Sequence, residues 1–447
     1  MPIFSQPEPR DDWPHVVLVG GGFAGLLCAR GLARTRVRVT MLDRRNHHLF
    51  QPLLYQVATG GLSPANIAAP LRALLASQKN TRVLLREVTG FDLENRRVHC
   101  DGHEDLEYDY LMVATGAGQS YFGRDDWARF APGLKTLDDA TRIRRKVLLS
   151  YERAEQSDDP AEIEALTTFV VVGAGPTGVE LAGALAEMAA GTLKGEFRSV
   201  ATERSRVLLV EGRDRVLPPF SEDLSRTALR DLEKLGVEVR TGTMVKEIGD
   251  GVLELAPTGN GDTDPERLRA GTVLWAAGVE ASPLGGILAE QSDAGLTRPG
   301  KIEVGADCSL AGRPEVFVCG DLASFHQDGE ELPGLAPVAM QQGRYVARLI
   351  GRRILGKATE KPFRYVDKGS MAVIGRRLAV CDIRGLEFRG AIAWILWLFV
   401  HLMYLAEFQN RVLVLIQWGW NYVTRGRSAR LITDEPGSQR SEPTGGG

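Results

Sequence analysis

Cysteine is scarce in this chain, and no pair of cysteines is close in sequence. Cys28, Cys100, Cys308, Cys319 and Cys381 form no Cys-x-x-Cys, and no histidine cluster accompanies them. That excludes a disulfide framework, a zinc site and the redox-active dithiol of a disulfide reductase. The five read instead as buried small apolar residues of a cytosolic protein. An excess of one charge is also missing. The 54 basic and 57 acidic side chains leave −3, which gives no reason to expect nucleic acid. Residues 1–12 lack the apolar core of a secretory signal. No metal-ligand spacing and no nucleophile–base constellation is present, so the expected metal is none. Nor is there a membrane-spanning run. The uncharged stretch 391–405 makes a helix of roughly 22 Å, against a hydrocarbon core of about 30 Å.

What the sequence does have is a strand–glycine–helix–strand unit near its start. Residues 16–19 are a buried strand, and Gly20, Gly22 and Gly25 follow with the G-x-G-x-x-G spacing. The first glycine permits a tight turn, the second admits a pyrophosphate to the backbone, and the third lets the helix pack on the strand. Phe23 and Ala24 open the helix, whose free N–H groups favour an anion. A second strand over 37–42 ends at Asp43, placed to accept from a ribose hydroxyl. Arg44 comes next; it could neutralise phosphate or sit in solvent. His47 and His48 have no partner spacing that supports a metal. Ala58-Thr59-Gly60-Gly61 reads as a backbone-rich turn lining a cavity. Short strands fill 83–109, and the apolar strand 110–114 ends in Thr115-Gly116. A charged helix over 136–151 and a hinge-like loop at 157–160 follow.

The unit then repeats, offset by about 150 residues. A strand over 169–172 leads into Gly173, Gly175, Pro176, Thr177 and Gly178. A helix spans 179–188, and the strand 207–210 ends at Glu211. Two fingerprints, each with its own acid, imply two dinucleotides and electron transfer between them. Glu180, in the first helical turn, could complement the helix dipole. A carboxylate beside a pyrophosphate is repelled, so it is expected to point along the cofactor, toward the nicotinamide. Residues 229–239 read as helix, glycine turn and strand, and 258–264 as a polar hairpin tip. The strand 273–276 ends near Gly278, much as the earlier one ends at Gly116. Gly320-Asp321 closes another buried strand, where Asp321 could be an N-cap. A helix runs from 335 to about 355 through Gln341 and Gln342. Residues 363–380 read as two strands. The apolar runs 391–405 and 412–422 carry four Trp and two Tyr, an aromatic content typical of a headgroup level. Arg425, Arg427 and Arg430 follow and could meet anionic lipid heads.

Taken together, these stretches resemble the two-dinucleotide-binding-domain flavoproteins, and closely the type II NADH dehydrogenases. The resemblance rests on Gly20 to Gly25, the His48-Leu49-Phe50-Gln51-Pro52-Leu53-Leu54-Tyr55 stretch, Val113 to Gly116, Gly173 to Glu180, Cys319-Gly320-Asp321 and Ala339-Met340-Gln341-Gln342-Gly343. It covers about residues 14 to 425. It implies FAD on the first unit, through Gly20, Gly22, Phe23, Ala24, Gly25, Asp43, Arg44, the Val88 backbone, Thr115, Gly116, Gly320 and Asp321. It implies NADH on the second, through Gly173, Gly175, Pro176, Thr177, Gly178, Glu211 and Gly278. A quinone site would be lined by Gln341, Gln342 and Tyr55, with Glu180 and Gln341 as catalytic candidates. Many members carry a second glutamine where this chain has Pro337, which puts the bond to a quinone carbonyl in question.

The expected fold is α/β, with two Rossmann-like dinucleotide-binding domains, the second inserted in the first, and a C-terminal helical membrane-attachment segment. The expected boundaries are a flexible N-terminus over 1–12, an FAD-binding part over 13–135, an NADH-binding domain over 136–285, the second FAD-binding part over 286–357, membrane attachment over 358–432 and a disordered tail over 433–447. The implied activity passes hydride from NADH to FAD and electrons to a membrane quinone, without proton pumping. The expected place is the cytoplasmic face of the inner (plasma) membrane, bound monotopically to the bilayer surface through 391–430, which leaves room for a homodimer. The competing readings are a soluble NADH-dependent reductase of oxygen, rubredoxin or ferredoxin, and an FAD-bound scaffold that senses NADH.

Overall fold

The computed structural model describes residues 10–259, 264–357, 361–424 and 426–432. Arg425, the tail from Thr433, the first nine residues and the 260–263 tip of the polar turn lie outside the described residues. The chain divides into two compact units. One holds the residues to Leu49, Ala68–Ser120 and Val279–Lys368; the other holds Phe50–Ile67, Tyr121–Gly278 and the residues from Gly369. The divisions near 120 and 278 differ from the boundaries expected at 135 and 285. Two short strands, Ala117–Gln119 and Val279–Ala281, pair antiparallel and carry the chain out of the first unit and back into it. A pairing of such distant residues leaves no local mark in the sequence.

In the first unit, six strands form a sheet in the order Ser309–Leu310, Arg313–Val318, Tyr110–Val113, His15–Val19, Arg38–Asp43 and Thr81–Leu85. All pairings but the first are parallel. Val16, Val17 and Leu18 are fully buried, as an unbroken apolar run in a two-sided parallel sheet should be. The helix Phe23–Gly31 packs on the long helix Ala336–Ile354 at backbone distance. A Cβ on Gly343 would lie 2.2 Å from the Ala24 carbonyl oxygen. Val88–Asp92, Arg97–Cys100 and His103–Glu107 add an antiparallel ribbon.

The other unit repeats this plan. Four parallel strands run in the order Val237–Arg240, Arg206–Val210, Thr168–Val172 and Thr272–Trp275. A three-stranded ribbon, Thr243–Gly249, Val252–Pro257 and Glu266–Arg269, follows. The internal repeat therefore extends beyond the glycine turns to the ribbons. The helix Pro176–Glu187 does not simply stop; it loosens into a π-helical turn over Met188–Thr192, a conformation that often marks a functional site.

The chain ends in a three-stranded sheet, Ser370–Gly375, Leu378–Ile383 and Leu386–Arg389, where the sequence pattern gave two strands. Two helices follow, Gly390–Tyr404 and Phe408–Thr424. Ala393, Trp397, Leu405 and Val414 are buried. Among the described residues, no helix is long and apolar enough to cross a membrane.

Candidate functional site

The two glycine turns are built alike. Gly20 and Gly173 hold φ near +104° and +99°, a left-handed backbone that L side chains avoid. A Cβ on Gly25 would lie 1.9 Å from the Gly20 carbonyl oxygen, and one on Gly178 would lie 1.8 Å from that of Gly173. Helix and strand therefore touch only because these residues lack a side chain. The middle glycines differ. A Cβ on Gly22 or on Gly175 would meet nothing within 4 Å. The protein itself does not need glycine there, but a group lying against the turn would. Neither helix has a side-chain cap; Pro176 has no N–H to give, so an anion at the second helix would meet the N–H groups of Thr177 and Gly178.

Each acid closes its own turn. Asp43 accepts from the Gly21 N–H at 2.6 Å and from the Arg45 N–H at 2.7 Å. Glu211 accepts from the Ala174 N–H at 2.7 Å and from the Arg213 N–H at 2.9 Å. The carboxylates are thus fixed beside the glycines, where a ribose would lie. Buried His48 adds a bond to the Gly21 carbonyl at 3.0 Å and meets the Phe23 ring edge-on. Burial pushes its pKa down to about 4, so the ring is neutral and serves the turn.

Other candidates of the first unit gather with less uniformity. The Thr115 hydroxyl is buried without a hydrogen-bond partner among the described residues, and a Cβ on Gly116, at φ +69°, would meet open space. An orphaned donor beside an open glycine fits a bound polar group. Val88 opens its ribbon strand and pairs with Cys100. Arg44 lies at the surface, 3.7 Å from Glu87, with both side chains more than half exposed. Asp321 sits in the short helical turn after Cys319. Gln342 is buried and accepts from the Gly320 N–H at 2.7 Å, so it holds that turn. Gln341 closes a two-way bond with the Val366 backbone, 3.0 Å in each direction. Half of its amide capacity remains for another partner.

In the other unit a cavity of about 610 Å³ lies between the helix Pro176–Glu187 and the C-terminal segment. Tyr55, Glu180, Arg427 and Asn421 supply polar groups to it; Trp394, Trp397, Trp418 and Tyr422 supply aromatic walls. Thr59 and Gly61 of the small-residue turn also line it, as does the π-helical turn through Ala190, Gly191 and Thr192. Glu180 does not extend along the glycine turn. It is buried, and its carboxyl accepts from the Val373 N–H at 3.4 Å. Burial raises its pKa to about 8, so it is protonated at neutral pH. The buried Trp397 indole N–H lies toward this carboxyl without closing a hydrogen bond. Burial also pushes the Tyr55 phenol well up, and the nearby Glu180 carboxyl adds to the shift. Gln56 donates to the Tyr55 hydroxyl at 3.0 Å and accepts from the Trp418 indole at 2.7 Å. Gly278 holds φ +79° against the Phe122 ring.

The sequence pattern missed Gln56, Glu187, Asn421 and the inward course of Arg427. Arg427 and Arg430, expected at lipid heads, bind protein carbonyls and carboxylates instead. Their only advance signal was a cationic pair following an apolar helix, which a lipid surface would explain equally well. Among the described residues, no group of three or more His, Cys, Asp or Glu side chains is placed to hold a metal. All five cysteines are free and buried.

Two family models match the chain: pyridine nucleotide-disulphide oxidoreductase over residues 14–343 and the NDH2 C-terminal domain over residues 368–427. The type II NADH:quinone oxidoreductase Ndh of Mycobacterium tuberculosis is 44% identical over 98% of this chain and 94% of its own length. The type II NADH:quinone oxidoreductase of Staphylococcus haemolyticus is 29% identical over 85% of this chain and 92% of its own. The structure of NDH2 from Plasmodium falciparum in complex with NADH superposes with a TM-score of 0.83 at 18% identity, over 94% of this chain and all of that one; at that identity it speaks for the fold. The duplicated glycine turns and the C-terminal sheet with its two helices are what the two family models span. On this likeness over nearly its full length, the chain belongs to the type II NADH:quinone oxidoreductases.

Proposed function

We propose that the chain holds FAD non-covalently on the first glycine turn and takes NADH on the second, and that it delivers two electrons to a membrane quinone without pumping protons. The observation that carries the reading is the paired turn. Twice, the protein closes its own backbone with the first and third glycines and leaves the middle one open beside a fixed carboxylate. Gly20, Gly22, Gly25, Asp43, Thr115, Gly116 and Asp321 would hold FAD, and Gly173, Gly175, Gly178 and Glu211 would hold NADH. Bound there, FAD would take a hydride from nicotinamide and release its electrons as a pair or singly.

The chain's own part is to bind, orient and hold protons. Asp43 and Glu211 position riboses. The cavity beside Tyr55 and Glu180 offers a phenol, a neutral carboxylic acid and an aromatic wall, which suit an apolar ring bearing two oxygens. A quinone takes up two protons as it takes up two electrons. NADH with its hydride accounts for one, and a carboxylic acid protonated at pH 7 can hold the other. The two C-terminal helices would lie in the bilayer surface, on the cytoplasmic face, so that a lipid-soluble quinone can enter.

The test is NADH oxidation by membranes containing the protein, with and without added quinone. Turnover should rise with quinone. Equal turnover without quinone, at the expense of oxygen or a small electron-transfer protein, would sink the quinone reading. A single slow reduction without turnover would favour a sensing scaffold.

A further inference from the structure

After the second C-terminal helix, the chain turns back on itself. Gly426 and Arg427 line the cavity of the Glu180 unit, and the residues through Arg430 are bonded to elements around it. Arg427 donates to the Thr59 carbonyl at 3.2 Å and to the Ala184 carbonyl at 3.0 Å. Its guanidinium pairs with Glu187 at 3.3 Å and is only 13% exposed. Arg144 donates to the Ala429 carbonyl at 3.0 Å, and the Ala429 N–H donates to Gly60 at 3.2 Å. Arg430 forms a two-pronged pair with Glu196. A Cβ on Gly60 would lie 2.8 Å from the Arg430 side chain, so the strap passes over bare backbone there.

Arg427 reaches two separate parts of the cavity wall directly and a third through Glu187. Thr59 belongs to the turn after Tyr55. Ala184 and Glu187 belong to the helix that begins at the second glycine turn, on the face that carries Glu180. Glu187 also accepts from the Arg376 N–H of the C-terminal sheet. On that same face, a Cβ on Gly183 would lie 1.8 Å from the Ile374 carbonyl oxygen, so helix and sheet meet without side chains between them. One buried cation therefore fixes the spacing of the turn, the helix and the sheet around the cavity. A guanidinium suits this, because its planar fork can serve two carbonyls and a carboxylate at once. A cation so deeply engaged contributes little to a lipid surface.

We propose that Arg427 is a positioning residue for quinone binding, and that the strap 426–432 is an internal clamp on the cavity rather than a lipid contact. The proposal rests on the reading that this cavity receives the quinone. It says that quinone affinity depends on the clamp, whereas NADH reduction of the flavin and attachment to lipid do not.

The test uses full-length holoenzyme in proteoliposomes that contain a long-chain quinone. Arg427→Gln should raise the quinone KM roughly tenfold, as loss of a buried ionic contact does. The rate of flavin reduction by NADH and binding to anionic vesicles should stay within about twofold. Arg430→Glu should raise the quinone KM less, and Arg430→Glu with Glu196→Arg should restore it, because the exchanged pair can re-form. A packing role alone gives no such rescue. An unchanged quinone KM in Arg427→Gln, or weakened vesicle binding with unchanged KM, overturns the clamp. If Arg427→Gln fails to retain flavin, the Arg430–Glu196 exchange decides, and absence of rescue overturns the clamp. Trp394→Ala at the cavity wall separates the two readings. If it raises the quinone KM while the arginine variants do not, only the clamp falls. If neither moves it, the cavity is not the quinone site.

Discussion

Glu180 is held beneath the C-terminal sheet by the Val373 N–H, in surroundings that favour its neutral form. Its ordinary pKa of 4.5 rises to about 8 on burial. The folded protein therefore keeps a proton that the unfolded chain releases, across the window from about pH 4.5 to 8. Stability should fall as pH rises through that window, by a few kcal/mol in all, of order the shift itself. Glu180→Gln should remove most of that slope in denaturation measured from pH 5 to 9. The same variant should slow quinone reduction more than flavin reduction, if the proton it holds is delivered. A slope unchanged by the substitution would mean that another group sets it. Glu211 carries a second prediction. Fixed by two backbone N–H groups, its carboxylate can accept from ribose hydroxyls and would repel a 2′-phosphate. The protein should prefer NADH to NADPH, and Glu211→Gln should lose roughly 1–3 kcal/mol of that preference, read from kcat/KM for the two coenzymes. Asp43 and Glu211 were legible in the sequence because their distance from a glycine turn is set by one helix and one strand. The surroundings of Glu180 were not, because its partner lies 193 residues away.

At the scale of the element, the glycine turn separates what folding needs from what a ligand needs. Gly25→Ala would drive a methyl into the Gly20 carbonyl and should cost more than about 2 kcal/mol of stability. Gly22 lies at φ −69°, ψ −161°, where alanine is allowed, and a Cβ there meets open space. Gly22→Ala should therefore keep the wild-type fold while weakening flavin retention. Thermal unfolding and flavin released on gel filtration measure the two effects separately. Equal damage from both substitutions would argue against a phosphate at the turn. Much of this level could be read from the sequence: both strand–turn–helix units, the glutamine-bearing helix, and the two apolar C-terminal stretches. What could not be read depends on distant packing. The π-helical turn at Met188–Thr192 has no residue signature beyond small side chains. The third strand of the C-terminal sheet, Leu386–Arg389, alternates apolar and charged residues over only four positions, too short a run to stand out from the turns around it.

At the scale of the whole chain, what matters is how the C-terminal helices divide their surface. Trp397, Ala393, Leu405 and Val414 face protein, Trp418 donates to the Gln56 side chain, and Asn421 donates to the Gly61 carbonyl. The opposite side is apolar and bare. Ile392, Ile395, Phe399 and Met403 follow helical spacing along the first helix, each close to or above half exposed. Ile416, Trp420 and Val423 continue this on the second, each more than 60% exposed. Soluble proteins rarely leave large apolar faces of this kind to water. At 15 and 17 residues, the helices are too short to span a bilayer and suited to lie in its surface. This division also argues against removing the segment wholesale, since its inner face completes the cavity. Ile395→Glu with Phe399→Glu alters only the outer face. The double variant should float free of lipid vesicles, keep its flavin, and reduce a water-soluble acceptor from NADH at close to the unaltered rate. Its turnover with quinone confined to vesicles should fall at least about tenfold, because two charges placed in the interface offset several kcal/mol of apolar burial. Retained vesicle binding would mean that the attachment lies elsewhere. Lost flavin or lost NADH reduction would mean that this face supports the fold.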